Sequence, residues 1–204
     1  MSQFNKQTQI MIELGFREEA LPQLKAFLDL LWAANDELNL VSRKMTFEDL
    51  IDNHVIDCLL PLKKFPQNIK TVADFGTGGG LPGIIYAIQF PQIGFHLFEK
   101  SKKKQDFLNR CSAIAPNIEV KGEIPPELGK VDLVVARAFK PLDVLLDVSR
   151  SHFNRGGKYF LLKARKEKIN EELAQAQKKF KDLKATIEPL KSPVLDVERH
   201  LLLI

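Results

Sequence analysis

Asp74-Phe75-Gly76-Thr77-Gly78-Gly79-Gly80-Leu81-Pro82-Gly83 is the stretch on which the fold turns. A short apolar run, residues 71–75, leads into it and reads as a strand. A helical segment, residues 82–90, leads out of it, with Pro82 suited to a first helical turn. A glycine-rich turn between strand and helix is a ligand loop of open α/β sheets, because backbone without side chains can turn tightly and approach a bound molecule. Downstream, residues 95–98, 118–121, 131–136 and 158–163 read as further strands. Helical stretches at about 102–113, 141–152 and 166–184 separate them. The last carries one apolar stripe of Ile169, Leu173, Ala176, Phe180 and Leu183. This alternation predicts a doubly wound, mostly parallel seven-stranded sheet, covered on both faces. Residues 186–190 and 200–204 read as its last two strands. Pro189 and Pro193 place them at the sheet edge, antiparallel.

Upstream of the loop the chain reads as helices. Leu21, Leu24, Leu28 and Leu31 recur at helical spacing, and Gly15 closes an earlier short helix. Thr46 and Asp49 form a variant capping box on a helix that stops at Pro61. The predicted organisation is a helical N-terminal extension, 1–66, packed on an α/β core, 67–204.

Residues 75–98 hold no charged side chain, but six glycines and two prolines break them into short elements, so a spanning helix is rejected. Cys58 and Cys111 are too few for a disulfide framework or a four-cysteine zinc site, and no metal is expected. The first residues do not form a secretory signal, and a reducing cytoplasm is the expected location. Net charge is +4 but unevenly spread: −5 over residues 1–60 and +6 over residues 155–184. A basic body predicts an anionic partner.

The glycine loop departs from the dinucleotide fingerprint, because Leu81 stands where the third glycine belongs. It reads instead as acid-x-G-x-G-x-G, with Asp74 as the acid. A carboxylate there suits a cationic ligand better than a pyrophosphate, and S-adenosylmethionine carries a sulfonium, an ammonium and no phosphate. Glu99 ends the second strand 23 residues after Gly76, where a carboxylate can bond both ribose hydroxyls. A nicotinamide or flavin dinucleotide is the competing ligand.

Motifs along nearly the whole chain resemble, in order, those of the RsmG (glucose-inhibited division protein B) family of bacterial 16S rRNA methyltransferases. They are Leu38-Asn39-Leu40-Val41-Ser42, His54-Val55-Ile56-Asp57, the glycine loop, Val135-Ala136-Arg137-Ala138, Leu162-Lys163 and Glu198-Arg199-His200. Ala136 and Ala164 replace a serine and a glycine of the family pattern. The resemblance implies a class I S-adenosylmethionine-dependent methyltransferase fold. It also implies N7-methylation of a guanine in 16S rRNA near the decoding site. By motif, the cofactor site falls on Asp74, Gly76, Thr77, Gly78, Gly80, Leu81, Glu99 and Arg137. Residues 122–126 are shorter than the family's adenine-flanking segment, with Ile124 and Pro125 as positional equivalents; either backbone and apolar packing or a shifted Glu123 carboxylate would then meet the adenine.

Guanine N7 has a free lone pair, so its methylation needs alignment rather than a base. No catalytic triad or general base is therefore expected, and none of the four histidines need supply one. Arg137, Lys163, Arg165, Arg199 and His200 are the candidates for RNA contact, converging on one sheet edge if the last strand is antiparallel. His54 and Asp57 read as a buried pair supporting the fold. Phe139 reads either as a base-stacking ring or as core. The expected protein is a monomer that binds 16S rRNA or the small ribosomal subunit. The alternatives are a small-molecule methyltransferase and a non-catalytic RNA-binding relative.

Overall fold

The computed structural model describes residues 3–204. Its sheet comprises β1 (Thr71–Phe75), β2 (Gly94–Phe98), β3 (Ile118–Lys121), β4 (Leu133–Arg137), β5 (Lys158–Lys163), β6 (Thr186–Leu190) and β7 (Arg199–Leu203), in the order β3-β2-β1-β4-β5-β7-β6. β1 to β5 run parallel, and β7 runs antiparallel to both of its neighbours. The strand order reverses between β1 and β4, which is where such sheets bind ligands at their carboxyl ends.

The edge expectation holds for β6 alone. β7 lies inside the sheet, because His200, Leu201 and Leu202 are buried and need cover on both sides. Pro189 sits on the outer strand, β6, where a missing N–H costs nothing.

The helices of the core are α5 (Gly83–Gln89), α6 (Lys102–Cys111), α7 (Leu142–Val148), α8 (Arg150–Asn154) and α9 (Lys166–Lys179). The single helix expected over 141–152 is two. Ser149 turns its hydroxyl back to Leu145 O at 2.8 Å and meets Tyr159 Oη at 2.9 Å, which breaks the run. The helix expected to reach 184 ends at Lys179. Phe180 leaves helical geometry to set its ring edge-on against Phe153 at 5.0 Å, beneath the Arg150 guanidinium. Pro82 caps α5 rather than starting it, and the Leu81–Pro82 peptide is cis.

The N-terminal part holds α1 (Gln3–Glu13), α2 (Leu21–Leu38), α3 (Phe47–Leu50) and α4 (Ile56–Leu59), the last two joined by a π-helical turn over Ile51–Val55. Gly15 ends the first stretch at φ +102°, and Asn39 ends α2 at φ +50°. The Thr46–Asp49 capping box forms, with both reciprocal bonds present. These helices share one apolar cluster with α5, α6 and one face of the sheet; α7 and α9 cover the other face. Every residue of α5 is buried. Arg17 closes that helix's far end by donating to Ile88 O and Gln89 O, and Tyr86 Oη donates to Cys58 O at 2.7 Å. Both cysteines are free and buried, and burial pushes each thiol up to about 12. Among the described residues no helix is long and apolar enough to cross a membrane.

Candidate functional site

β1 delivers the chain into the glycine turn at the sheet's carboxyl edge. Gly76 (φ +67°), Gly78 (φ +58°) and Gly80 (φ +88°) all adopt left-handed backbone, which explains the residue type at alternate positions. The turn is anchored from below. Gly76 N and Thr77 N donate to Phe98 O at the end of β2, and Gly78 N donates to Glu99 Oε2 at 3.2 Å. Glu99 Oε1 also accepts from Ser101 N at 2.8 Å. A carboxylate offers about four acceptor positions, so Glu99 keeps two for a ligand's hydroxyls. The N-terminal part reaches the turn as well: a Cβ on Gly79 would come within 3.2 Å of Leu40 Cβ.

Asp74 does not face the mouth of this site. It is fully buried, and its Oδ2 accepts from Gly83 N at 2.9 Å, tying β1 to the start of α5. Burial pushes its carboxyl up to about 6, against the opposing pull of hydrogen bonds and Arg137. Among the described residues no group of good hydrogen-bond geometry meets Oδ1 or Thr77 Oγ1, and the Thr77 hydroxyl helps hold the carboxyl down. Gly83 is obligatory here, since a Cβ would lie 2.5 Å from both Asp74 Oδ2 and Leu97 Cδ2. The cradle therefore fits an S-adenosyl ligand: a left-handed glycine turn with open space at Gly78, and a carboxylate with acceptor positions left for ribose hydroxyls. Ile124 is half-buried beside the β4–α7 layer, and Pro125 is exposed; both lie on the β3–β4 connection.

Beside the turn, at the carboxyl ends of β4 and β5 and the start of β7, lies a cavity of about 600 Å³. All five cations proposed for RNA line it, and antiparallel β7 is what brings His200 opposite Lys163. Four of the five are already engaged within the protein. Arg137 donates to Asp57 Oδ2 at 3.1 Å and to His54 Nδ1 at 2.7 Å. Arg199 Nε donates to the other Asp57 oxygen at 2.5 Å. Lys163 pairs with Glu172 at 2.6 Å, both largely buried. His200 is buried and its Nδ1 donates to Ala164 O at 2.7 Å, so it is a structural histidine rather than a phosphate contact. Among the described residues Arg165 alone of the five is exposed with an unpaired guanidinium; Lys140 and Lys168, not singled out from sequence, line the same cavity exposed, Lys168 pairing with Glu171 at 2.8 Å.

His54 and Asp57 do not bond each other but hold Arg137 between them. The π-helical turn that carries His54 is the local irregularity that marks them, a feature associated with functional sites. A guanidinium only donates, so His54 Nδ1 accepts and the ring is neutral. Burial, then the Arg137 charge, lowers His54 to about 4. Asp74 and His54 consequently push stability in opposite directions with pH. Between about 4 and 6 the folded protein keeps a proton on Asp74 that the unfolded chain has released, so this group makes stability fall as pH rises. Between about 6.5 and 4 the unfolded chain binds a proton at His54 that the folded protein refuses, so this group makes stability fall as pH falls. Urea titrations from pH 4 to 6.5 should show the two trends separated by substitution. His54→Gln should leave stability declining with rising pH relative to the native protein, and Asp74→Asn the reverse. Parallel pH profiles for all three proteins would refute the assignment.

Comparison with known proteins adds ancestry to this geometry. Residues 20–202 match the family model described as rRNA small subunit methyltransferase G. The chain is 68% identical over 201 residues to ribosomal RNA small subunit methyltransferase G 1 of Bdellovibrio bacteriovorus, covering 98% of each chain. It is 35% identical over 191 residues to a methyltransferase G of Caldanaerobacter subterraneus subsp. tengcongensis, covering 87% of this chain and 78% of that one. Among solved structures, a putative O-methyltransferase from Klebsiella pneumoniae aligns with TM-score 0.57 at 15% identity, covering 87% and 88%. A precorrin-6y C5,15-methyltransferase from Geobacter metallireducens aligns at 0.55 and 13%, covering 83% and 94%. Those two likenesses establish a methyltransferase-type fold, and the near-complete family match establishes descent: the chain belongs to the rRNA small subunit methyltransferase G family.

Proposed function

We propose that this protein transfers a methyl group from S-adenosylmethionine to N7 of a guanine in the 16S rRNA of the small ribosomal subunit. The observation that carries the reading is the adjacency of the glycine cradle and the cation-lined cavity on one sheet edge, within a chain of this family. When bound, the cofactor would supply an electrophilic methyl group on its sulfonium. Gly76 and Gly78 would seat it against backbone, and Glu99 would hold its ribose. No proton leaves N7, so the cavity has no need of a base; its task is to align the acceptor in line. Positive charge arrives on the purine, and Asp57 and Glu172, both on the cavity wall, temper the surrounding cations.

RNA phosphates meet the cations that are free. Arg165→Ala should weaken RNA binding uniformly and lower its salt slope by about one ion, with folding unchanged. Arg199→Ala should instead lower stability, because it leaves Asp57 half-paired. The reverse pattern, a salt slope changed by Arg199 and not by Arg165, would mean that RNA displaces the internal pair. The function itself is tested by mass spectrometry of 16S rRNA from a strain lacking the gene, before and after incubation with purified protein and S-adenosylmethionine. The expected result is 7-methylguanosine restored at one nucleotide. Full modification in the deletion strain, with no methyl uptake, would overturn the reading.

A further inference from the structure

One side chain stands between the glycine turn and the cavity. Phe139 lies against Gly76 so closely that a Cβ there would be 3.0 Å from Phe139 Cε2 and nearer still to Cδ2. The same residue lines the cavity with Arg137, Pro141 and Leu162. It is the only phenyl ring among the lining residues. Ala138, just before it, holds φ +53°, a left-handed conformation unusual for alanine. That turn lifts the chain off β4 and sets the ring over the sheet edge. The ring is only half-buried, and it meets Phe75 obliquely, at 6.0 Å and 59°, rather than stacking on it. The ring rests on the core cluster with one side and on Gly76 and the cavity with the other, held there by a strained turn. Strain of this kind persists where the surrounding structure demands a particular placement.

We propose that Phe139 is the positioning residue for the acceptor base: the target purine stacks on its ring in the cavity, which brings N7 to the glycine turn. This rests on the methyl-transfer reading above and adds the residue that orients its acceptor. Stacking on an aromatic side chain suits any base, so Phe139 supplies orientation while the free cations supply RNA affinity.

The test uses the full-length protein with Phe139→Ala, Phe139→Leu and Phe139→Tyr. Tyrosine keeps the π face; leucine keeps apolar bulk without it. Measured are single-turnover methyl transfer to small ribosomal subunits, affinity for S-adenosylhomocysteine by calorimetry, and thermal unfolding. Phe139→Tyr should stay within about threefold of the native rate. Phe139→Leu and Phe139→Ala should lose roughly 5- to 150-fold, the range for losing one base–aromatic stack. Cofactor affinity should stay within about threefold throughout. A leucine variant as active as the native protein would make the ring mere packing and overturn the proposal. Cofactor affinity that shifts as much as the rate would overturn it too, making the ring a cover for the cradle.

If the native protein methylates no 16S rRNA, the methyl-transfer reading fails and the ring is still tested by binding. In a Trp32→Phe background, Phe139→Trp should show fluorescence quenched by a guanine-containing single-stranded RNA and not by the same strand made abasic. Equal signals from the two strands would sink the stacking role.

Discussion

Asp57→Ala is expected to destabilise the protein by about 3–5 kcal/mol, the cost of stranding charge that a partner had neutralised in a largely buried site. Asp57 accepts from Arg137 with one carboxylate oxygen and from Arg199 with the other. Side-chain exposures are 12% for Asp57, 16% for Arg137 and 24% for Arg199, so water can replace little of what the carboxylate provides. Asp57→Asn should cost less, since the amide oxygen still accepts from one arginine while its NH₂ opposes the other. Urea denaturation at neutral pH gives both values. The mechanism makes a sharper demand through Arg199→Ala. Added to Asp57→Ala, it removes one of the stranded charges, so the double variant should be less unstable than the two losses summed. Strict additivity, or an Asp57→Ala loss below about 1 kcal/mol, would show that the ion triad is a surface ornament.

The triad also shows why the N-terminal helices belong to the site. Asp57 stands on α4, Arg137 at the end of β4 and Arg199 at the start of β7. Leu40 meets the glycine turn from the same N-terminal side. Removing those helices would remove one wall of the cradle and the central acid of the cavity.

How far the sequence reveals this depends on the range of the interaction. β1, β3, β5 and β6 stand at the residues expected for them, because short apolar runs bounded by turns have a local signature. The glycine turn is equally local. His54 and Asp57 stand three apart, a spacing that points to each other and not to Arg137 some 80 residues on. A cross-chain ion pair leaves no periodicity to read. The Lys163–Glu172 pair is only nine residues apart but joins a strand end to a helix, a spacing neither period marks, so a candidate phosphate contact proves to be satisfied internally. The placement of β7 was readable in principle: His200-Leu201-Leu202-Leu203-Ile204 is an unbroken run, the pattern of an interior strand, and the nearby prolines mark only β6 as outermost.

Gly76→Ala is the substitution expected to silence the protein without unfolding it. Two costs arise at once. The residue sits at φ +67°, where any L side chain is strained by about 1–2 kcal/mol. Its new methyl would also overlap Phe139, so the ring must move or the turn must open. Affinity for S-adenosylmethionine should fall at least about 100-fold, equivalent to about 2.7 kcal/mol, by calorimetry. Strain alone is controlled by Gly129→Ala, a glycine at φ +73° with nothing within 4 Å of a Cβ and no part in the cradle. That variant should lose about 1 kcal/mol of stability at most twice over, and no cofactor affinity. The ring is controlled by adding Phe139→Ala to Gly76→Ala. If the overlap with Phe139 were the whole effect, the double variant would bind cofactor normally. Continued loss in the double variant is the expected result, because the methyl then occupies the surface on which the cofactor is proposed to lie. Native affinity in Gly76→Ala would mean that no ligand approaches this backbone, and the cradle would have to be sought away from the β1 turn.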